Sequence, residues 1–192
     1  TETLKKAVAV EGLFYPPDPA SAASSSIGGN VATNAGGLCC VKYGVTADSI
    51  RGLRVVLPGG EIMTTGRRTA KSSVGPDLTG LVVGSEGTLG VVTSVVARVI
   101  PAPDPALTAL GTFTTLEAAA EAIVALRQEP HPPSLLEFLD APSITAIQGL
   151  ADYGFPTGCA AALLVQADRP GHVGEDVARY AQVMEAHGAQ EI

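Results

Sequence analysis

Apolar and polar residues follow two different patterns along this chain, and the change falls near residue 103. Before it, short apolar runs are separated by long stretches rich in Gly, Pro and Ser. After it, strand-like apolar runs alternate with segments in which apolar residues recur at helical spacing. The Pro-rich stretch 101–105 lies between the two patterns. It predicts a boundary between two domains, 1–103 and 104–192.

The first pattern predicts a helix, a hairpin and two Gly-rich connections. Residues Glu2–Val10 have helical spacing and lead into a Pro-rich turn, Tyr15–Pro19. Two strand-like runs, Leu53–Leu57 and Glu61–Thr65, flank the turn sequence Pro58-Gly59-Gly60, which predicts a β-hairpin.

The remainder of the first half is expected to be less regular. We expect a loop over residues 21–46 whose backbone groups bind a ligand, and irregular structure over Thr69–Asp77. The apolar runs Leu78–Val83 and Leu89–Ile100 are predicted to form strands on either side of a Gly-rich loop.

The second pattern predicts strands and helices in the order βαβαβα, an α+β layer with helices on one face of a sheet. The predicted strands are Leu107–Phe113, Leu135–Leu139 and Ala160–Ala167, and the later helices are Ser143–Leu150 and Val173–His187. Thr114 and Glu117 have the spacing of a capping box, which opens the first helix. Its predicted apolar face consists of Leu116, Ala120, Ile123 and Val124.

The Gly-rich segment Ser26–Gly37 is the first candidate for chemistry. It has four glycines in twelve residues, so its backbone can take positive φ angles and turn several N–H groups toward one point. Such an arrangement binds anions, and the side chains of Ser26, Thr33 and Asn34 could add hydrogen bonds. A surface loop that merely turns is the alternative.

A second Gly-rich segment, Gly84–Val91, lies between the two apolar runs. It differs from the dinucleotide fingerprint G-x-G-x-x-G because β-branched residues, typical of a strand, follow it. The sequence also lacks a P-loop motif. Asp48 and Asp77 each precede an apolar run, where a turn or capping role is favoured.

Composition excludes several classes of protein. There are 12 Lys and Arg against 19 Asp and Glu, a net charge of −7, which argues against nucleic acid as a partner. No apolar run is long enough to cross a membrane. The three cysteines do not form a disulfide framework, so we expect a reducing, cytoplasmic location, with membrane association only through partners. The three histidines lack metal-ligand spacing, and no metal is expected.

Five segments in order carry a resemblance to a known family. They are Gly12–Pro19, Ser26–Gly37, Lys42–Asp48, Gly75–Thr79 and Gly84–Thr93. Together they resemble the FAD-linked oxidases of the para-cresol methylhydroxylase/vanillyl-alcohol oxidase fold. The branch is that of the glycolate oxidase FAD subunit and the D-lactate and D-2-hydroxyglutarate dehydrogenases. The resemblance implies an α+β fold: the second half of a PCMH-type FAD-binding domain, followed by the start of a ferredoxin-like cap domain.

The resemblance also implies a site for FAD, held largely by main-chain groups. Residues that would line the flavin and the diphosphate are Pro17, Asp18, Ser26 and Ile27. Those that would hold the diphosphate and ribityl chain are Gly28, Gly29, Asn30, Thr33, Asn34, Ala35 and Gly36. Glu86, Gly87 and Val91 would lie near the adenosine half. The cap domain would cover the flavin ring. Adjacent Cys39 and Cys40 could link a flavin covalently, but a pair of thiols in a loop is favoured.

The activity that the resemblance implies is oxidation of a small D-2-hydroxy acid, such as glycolate or D-lactate, by hydride transfer to flavin. A partner subunit or a separate electron acceptor would complete the reaction. The alternative is a non-catalytic nucleotide-binding or interaction module.

The chain departs from the family's pattern in three places. A preceding Gly-rich loop and a later His-bearing motif have no counterpart, and Gly75-Pro76-Asp77 replaces Gly-Tyr-Asp. We therefore expect a fragment, inactive and weak in FAD binding by itself, in which no catalytic base is identified.

Overall fold

The computed structural model describes residues 1–67, 69, 75–151 and 153–192. These form two compact units, Thr1–Ala102 and Pro103–Ile192. The expectation of irregular structure over Thr69–Asp77 falls largely on residues 70–74, which lie outside the described residues.

The first unit is built on a three-stranded antiparallel sheet in the order β3–β2–β4, beside a small two-stranded pair of β1 and β5. Its strands are β1 (Leu13–Phe14), β2 (Ile50–Val56), β3 (Ile62–Gly66), β4 (Val91–Ala97) and β5 (Ile100–Pro101). Its helices are α1 (Glu2–Ala9), α2 (Ile27–Thr33), α3 (Cys40–Tyr43) and α4 (Leu78–Val82), with a 3-10 turn at Thr46–Ser49. Val31 of α2 and Val82 of α4 pack on the sheet residues Ile50, Leu53 and Val55 to form the core.

The predicted hairpin is confirmed, because β2 and β3 pair antiparallel with Val56 opposite Ile62. Two other predictions for this unit were wrong. Residues 21–46 include α2 and α3 rather than a continuous loop, and the run Leu78–Val83 begins a helix rather than a strand. The reason is local capping: the Asp77 carboxylate accepts a hydrogen bond from the Gly80 N–H at 2.9 Å, which starts α4. For so short an apolar run, periodicity alone cannot distinguish a helix from a strand.

The second unit has the predicted order of elements. Its strands are β6 (Leu107–Phe113), β7 (Leu135–Asp140) and β8 (Ala161–Ala167), and its helices are α5 (Leu116–Gln128), α6 (Ala141–Gln148) and α7 (Val173–Ala186). The sheet is antiparallel in the order β6–β8–β7. A core of β-strand residues such as Phe113 and Leu163 packs against Leu126 of α5 and Met184 of α7.

Two details of α5 differ from the prediction. Its N-cap is Thr115, whose hydroxyl accepts a hydrogen bond from the Ala118 N–H at 3.2 Å, and not Thr114. Its buried face consists of Ala119, Ala122 and Leu126, whereas Leu116 and Val124 of the predicted face are 49% and 56% exposed. Small alanines allow the helix to approach its neighbours closely, so the larger residues lie on the outer side.

Candidate functional site

The first predicted site segment is organised by the short helix α2. The Ser26 hydroxyl accepts a hydrogen bond from the Gly29 N–H at 2.9 Å and caps the helix. Among residues 26–37, which the structure describes throughout, Asn34 alone has a left-handed φ, of 48°. The glycines therefore do not form the series of positive φ angles that the sequence suggested. Gly28 and Gly29 instead present a helix turn that carries no side chains.

The second Gly-rich segment is bound to the other end of α2. The Gly84 N–H donates to the Val31 carbonyl at 2.9 Å, and the Glu86 N–H donates to the Ala32 carbonyl at 2.8 Å. This loop has the positive φ angles expected of the first segment: Glu86 has φ 52°, and Gly84 and Gly87 have φ near 80°. The two segments, about 55 residues apart in sequence, thus form one surface.

The residues after α2 bind to the 3-10 turn at Thr46–Ser49 and so stabilise the fold. The Asn34 side-chain oxygen accepts a hydrogen bond from the Ala47 N–H at 2.9 Å, and the Ala35 carbonyl accepts two from Thr46, at 2.7 and 3.0 Å. Asp48 closes the same turn by accepting from the Val45 N–H at 2.8 Å, which agrees with its predicted capping role.

The Pro-rich turn is fixed to α1 by a contact that the sequence did not indicate. Asp18 forms an ion pair with Lys5 of α1, with 2.7 Å between Nζ and Oδ1. Pro17 is buried beside it. Tyr15 is fully buried, and its hydroxyl has no hydrogen-bond partner among the described residues. Burial raises the pKa of Tyr15, so this phenol stays protonated at neutral pH.

A cleft of about 320 Å³ opens along the N-terminal end of α2. Ile27 and Gly28 form one side, Leu4 contributes from α1, and the β4 residues from Val92 to Val95 form the other side. A Cβ atom on Gly28 would lie 3.7 Å from the Val92 carbonyl oxygen, so any larger side chain would enter the cleft. A larger hollow of about 610 Å³ borders Arg51 and Arg67. Its lining includes Gly75–Thr79, one of the segments that carry the resemblance, but none of the residues that the resemblance assigns to FAD.

The predicted site residues therefore divide into two groups. Those at an accessible surface are Ser26, Ile27, Gly28, Gly29, Thr33, Glu86, Gly87 and Val91. Pro17, Asp18, Asn30, Asn34, Ala35 and Gly36 instead make contacts within the unit. The buried Asn30 amide donates to the Thr1 hydroxyl at 2.6 Å. Sequence reasoning missed Leu4 and Val92, because ordinary apolar residues carry no signal of a cleft.

None of the three cysteines, all of which the structure describes, is in a disulfide. Cys40 accepts a hydrogen bond from the Gly37 N–H at 2.9 Å, which favours a structural role in the loop. Over the described residues, no group of three or more metal-ligating side chains converges. Among the same residues, no helix is long and apolar enough to cross a membrane.

Comparison with known proteins relates both units to flavoproteins. A family model described as "FAD binding domain" matches residues 1–66, and one described as "FAD linked oxidases, C-terminal domain" matches residues 102–192. The chain is 46% identical to the glycolate oxidase subunit GlcD of Bacillus subtilis over 165 residues, which cover 86% of this chain and 35% of that protein. It is 43% identical to a D-lactate dehydrogenase of Anaerostipes hadrus over 130 residues, 68% of this chain and 27% of that protein.

The fold also has solved counterparts. An alkyldihydroxyacetonephosphate synthase structure superimposes with a TM-score of 0.79 at 22% identity, covering 98% of this chain and 38% of the other. That likeness concerns the fold alone. The chain spans roughly a third of the length of the curated relatives it matches.

Proposed function

This chain belongs to the FAD-linked oxidases, and from that premise we propose that it forms part of an enzyme that oxidises a small D-2-hydroxy acid, such as glycolate or D-lactate. Its relatives include a glycolate oxidase subunit and a D-lactate dehydrogenase. FAD is the cofactor that both family models indicate. When bound, FAD supplies the ring that accepts a hydride from the substrate.

The observation that carries the proposal is the joining of the two Gly-rich segments. Two backbone hydrogen bonds, from Gly84 and Glu86 to the end of α2, place both segments on one surface. The resemblance assigns the first to the diphosphate and the second to the adenosine half. An extended dinucleotide needs both regions on the same surface, and the chain provides that.

The residues present fit a diphosphate group at the first turn of α2. The early N–H groups of a helix point outward from its end and attract anions. The turn is capped by Ser26, and Gly28 and Gly29 leave its backbone unobstructed. We assign Ser26, Ile27, Gly28, Gly29 and Thr33 to direct contact with the cofactor.

The remaining implied residues support that surface. Asn30 and Asn34 have side chains bound within the unit, and Asp18 is paired with Lys5. We propose that they hold α2 and the Pro-rich turn in place, and that Glu86, Gly87 and Val91 contact the adenosine half. By the same proposal, residues 1–103 bind FAD and residues 104–192 belong to the cap that shapes the substrate site.

The test is flavin retention by a purified protein that contains this chain within a polypeptide of its relatives' length. We expect a yellow protein that keeps FAD through desalting. Gly28→Val should weaken FAD binding about tenfold or more, equivalent to about 1.4 kcal/mol, because the side chain would occupy the cleft beside Val92. Gly174→Val is the control, since a Cβ there meets nothing within 4 Å.

Circular dichroism shows whether each variant keeps its secondary structure. If the Gly28 variant retains FAD like its parent, the assignment of α2 to the cofactor is wrong. A protein that binds nucleotides without a flavin spectrum, and that does not oxidise glycolate or D-lactate, would support the non-catalytic module instead.

A further inference from the structure

Two buried threonines connect the helix α4 to the strand β3. The side-chain oxygens of Thr65 and Thr79 lie 2.9 Å apart, and the two residues are only 6% and 7% exposed. One hydroxyl donates and the other accepts, at a distance that is ordinary for an O–H···O hydrogen bond. Removal of one hydroxyl would deprive the other of this hydrogen bond at a buried position.

The backbone around this pair leaves room for a close approach. Gly66 follows Thr65 at the end of β3. A Cβ atom on Gly66 would lie 2.8 Å from the Thr79 hydroxyl oxygen and would overlap the Arg51 carbonyl. The helix α4 packs on both β2 and β3. The separation of α4 from β3 is therefore set by two hydroxyls in contact and not by larger side chains.

The helix α4 carries this separation to the second Gly-rich segment. The Val83 N–H donates to the Thr79 carbonyl at 3.0 Å, and the N–H of the next residue, Gly84, donates to the Val31 carbonyl at 2.9 Å. Val82 of α4 packs with Val31 of α2 in the same core. A change in the distance between α4 and β3 therefore moves the loop after α4 relative to α2.

We propose that Thr65 and Thr79 are positioning residues for the dinucleotide. Their hydrogen bond holds α4 against the sheet and so sets the place of the loop Gly84–Gly87 relative to the first turn of α2. This inference rests on the proposed function, which assigns that loop to the adenosine half and that turn to the diphosphate. Both surfaces must meet one ligand at once, and a hydrogen bond of about 2.9 Å is lost when its atoms separate by about 1 Å more.

Replacement of both threonines by valine separates positioning from stability. Valine has the shape of threonine, and the double variant Thr65→Val/Thr79→Val leaves neither hydroxyl without its partner, so its stability should be close to that of the parent. Two methyl groups pack at about 3.5–4.0 Å, whereas the two hydroxyl oxygens lie 2.9 Å apart. The double variant should therefore fold with α4 displaced from β3 by roughly 1 Å.

The test compares FAD affinity with stability in a polypeptide of the relatives' length that contains this chain. We expect the double variant to bind FAD about tenfold more weakly at a nearly unchanged melting temperature. Thr79→Ser retains the hydroxyl and should bind FAD like the parent. Thr64→Val, at an exposed position of β3, is the matched control and should do the same. A double variant that binds FAD like the parent, or that loses its fold, would overturn the proposal.

Hydrogen exchange on the cofactor-free protein gives a second measurement that does not depend on flavin. The Gly84 and Glu86 amides donate to carbonyls of α2. They should exchange about tenfold faster in the double variant than in the parent, whereas the amides of β2 should not change. Equal exchange of both amides in the two proteins would overturn the proposal. A parent that retains no FAD would instead overturn the proposed function, and the exchange rates would still show whether the threonine pair positions the loop.

Discussion

Several residues in the Gly-rich segments act through packing, although their types suggested ligand binding. Gly37 is the clearest case. Its φ is not in the left-handed region, so conformational freedom does not explain the glycine. Its α-carbon lies against the backbone of Asp18 and Pro19, and any Cβ atom there would overlap the Asp18 carbonyl. This contact holds the Pro-rich turn beside the loop that follows α2.

A substitution at Gly37 tests this close approach. Gly37→Ala should lower the free energy of unfolding by about 1–3 kcal/mol, because one of two backbone segments must shift. Denaturant unfolding of each variant measures the effect on stability. Gly174→Ala, in α7, has open space around it and should change stability by less than about 1 kcal/mol, toward a more stable protein. Equal effects at the two positions would contradict the packing account.

At the scale of elements, capping hydrogen bonds determine where a helix begins. Sequence spacing predicts the capping residue only to within one position. The segment before α5 contains two adjacent threonines, and the capping-box spacing favoured the first. The structure uses the second, Thr115, because its backbone is extended and its hydroxyl reaches the Ala118 N–H.

The two threonines therefore provide a matched pair of variants. Thr115→Ala should destabilise the second unit by about 1 kcal/mol through loss of the cap, while Thr114→Ala should have little effect. Thermal melting of both variants in the same buffer distinguishes them. A larger loss from the Thr114 change would restore the sequence prediction and contradict the observed cap.

At the scale of the whole molecule, each unit has its own hydrophobic core. The second unit also has an ion pair at the start of α7, in which the carboxylate is buried and the guanidinium is partly exposed. Arg169 donates two hydrogen bonds to the Asp176 carboxylate, at 2.8 and 2.7 Å, and holds the pKa of that carboxyl below its ordinary value. Asp176 is only 6% exposed, so loss of its charge would leave Arg169 without its partner.

The lowered pKa predicts how the stability of this unit depends on pH. Because the folded state lowers the pKa, the stabilisation is complete above the ordinary carboxyl pKa and is lost as the pH falls through the folded-state value. Asp176→Asn should therefore cost more stability at pH 7 than at pH 3. Urea unfolding of both proteins at several pH values measures this difference in the free energy of unfolding. An equal cost of Asp176→Asn at pH 7 and at pH 3 would contradict this dependence.

Much of the architecture could be predicted from the sequence. The β2–β3 hairpin followed from alternating residues around Pro58-Gly59-Gly60, and the βαβαβα order of the second half followed from its periodicity. These features depend on contacts between residues that are near in sequence, so local patterns are sufficient to determine them. The family resemblance was likewise carried by short motifs that stand in one order along the chain.

The tertiary structure decided how those motifs act. Only the fold shows that the loop after Gly84 bonds to the end of α2, that Lys5 pairs with Asp18, and that Asn30 is buried. It also decided that α5 buries Ala119 and Ala122 in place of the larger residues on its other side. Each of these outcomes depends on which distant segments meet. Propensity and spacing describe a residue's neighbours along the chain, whereas packing and long-range hydrogen bonds depend on its neighbours in space.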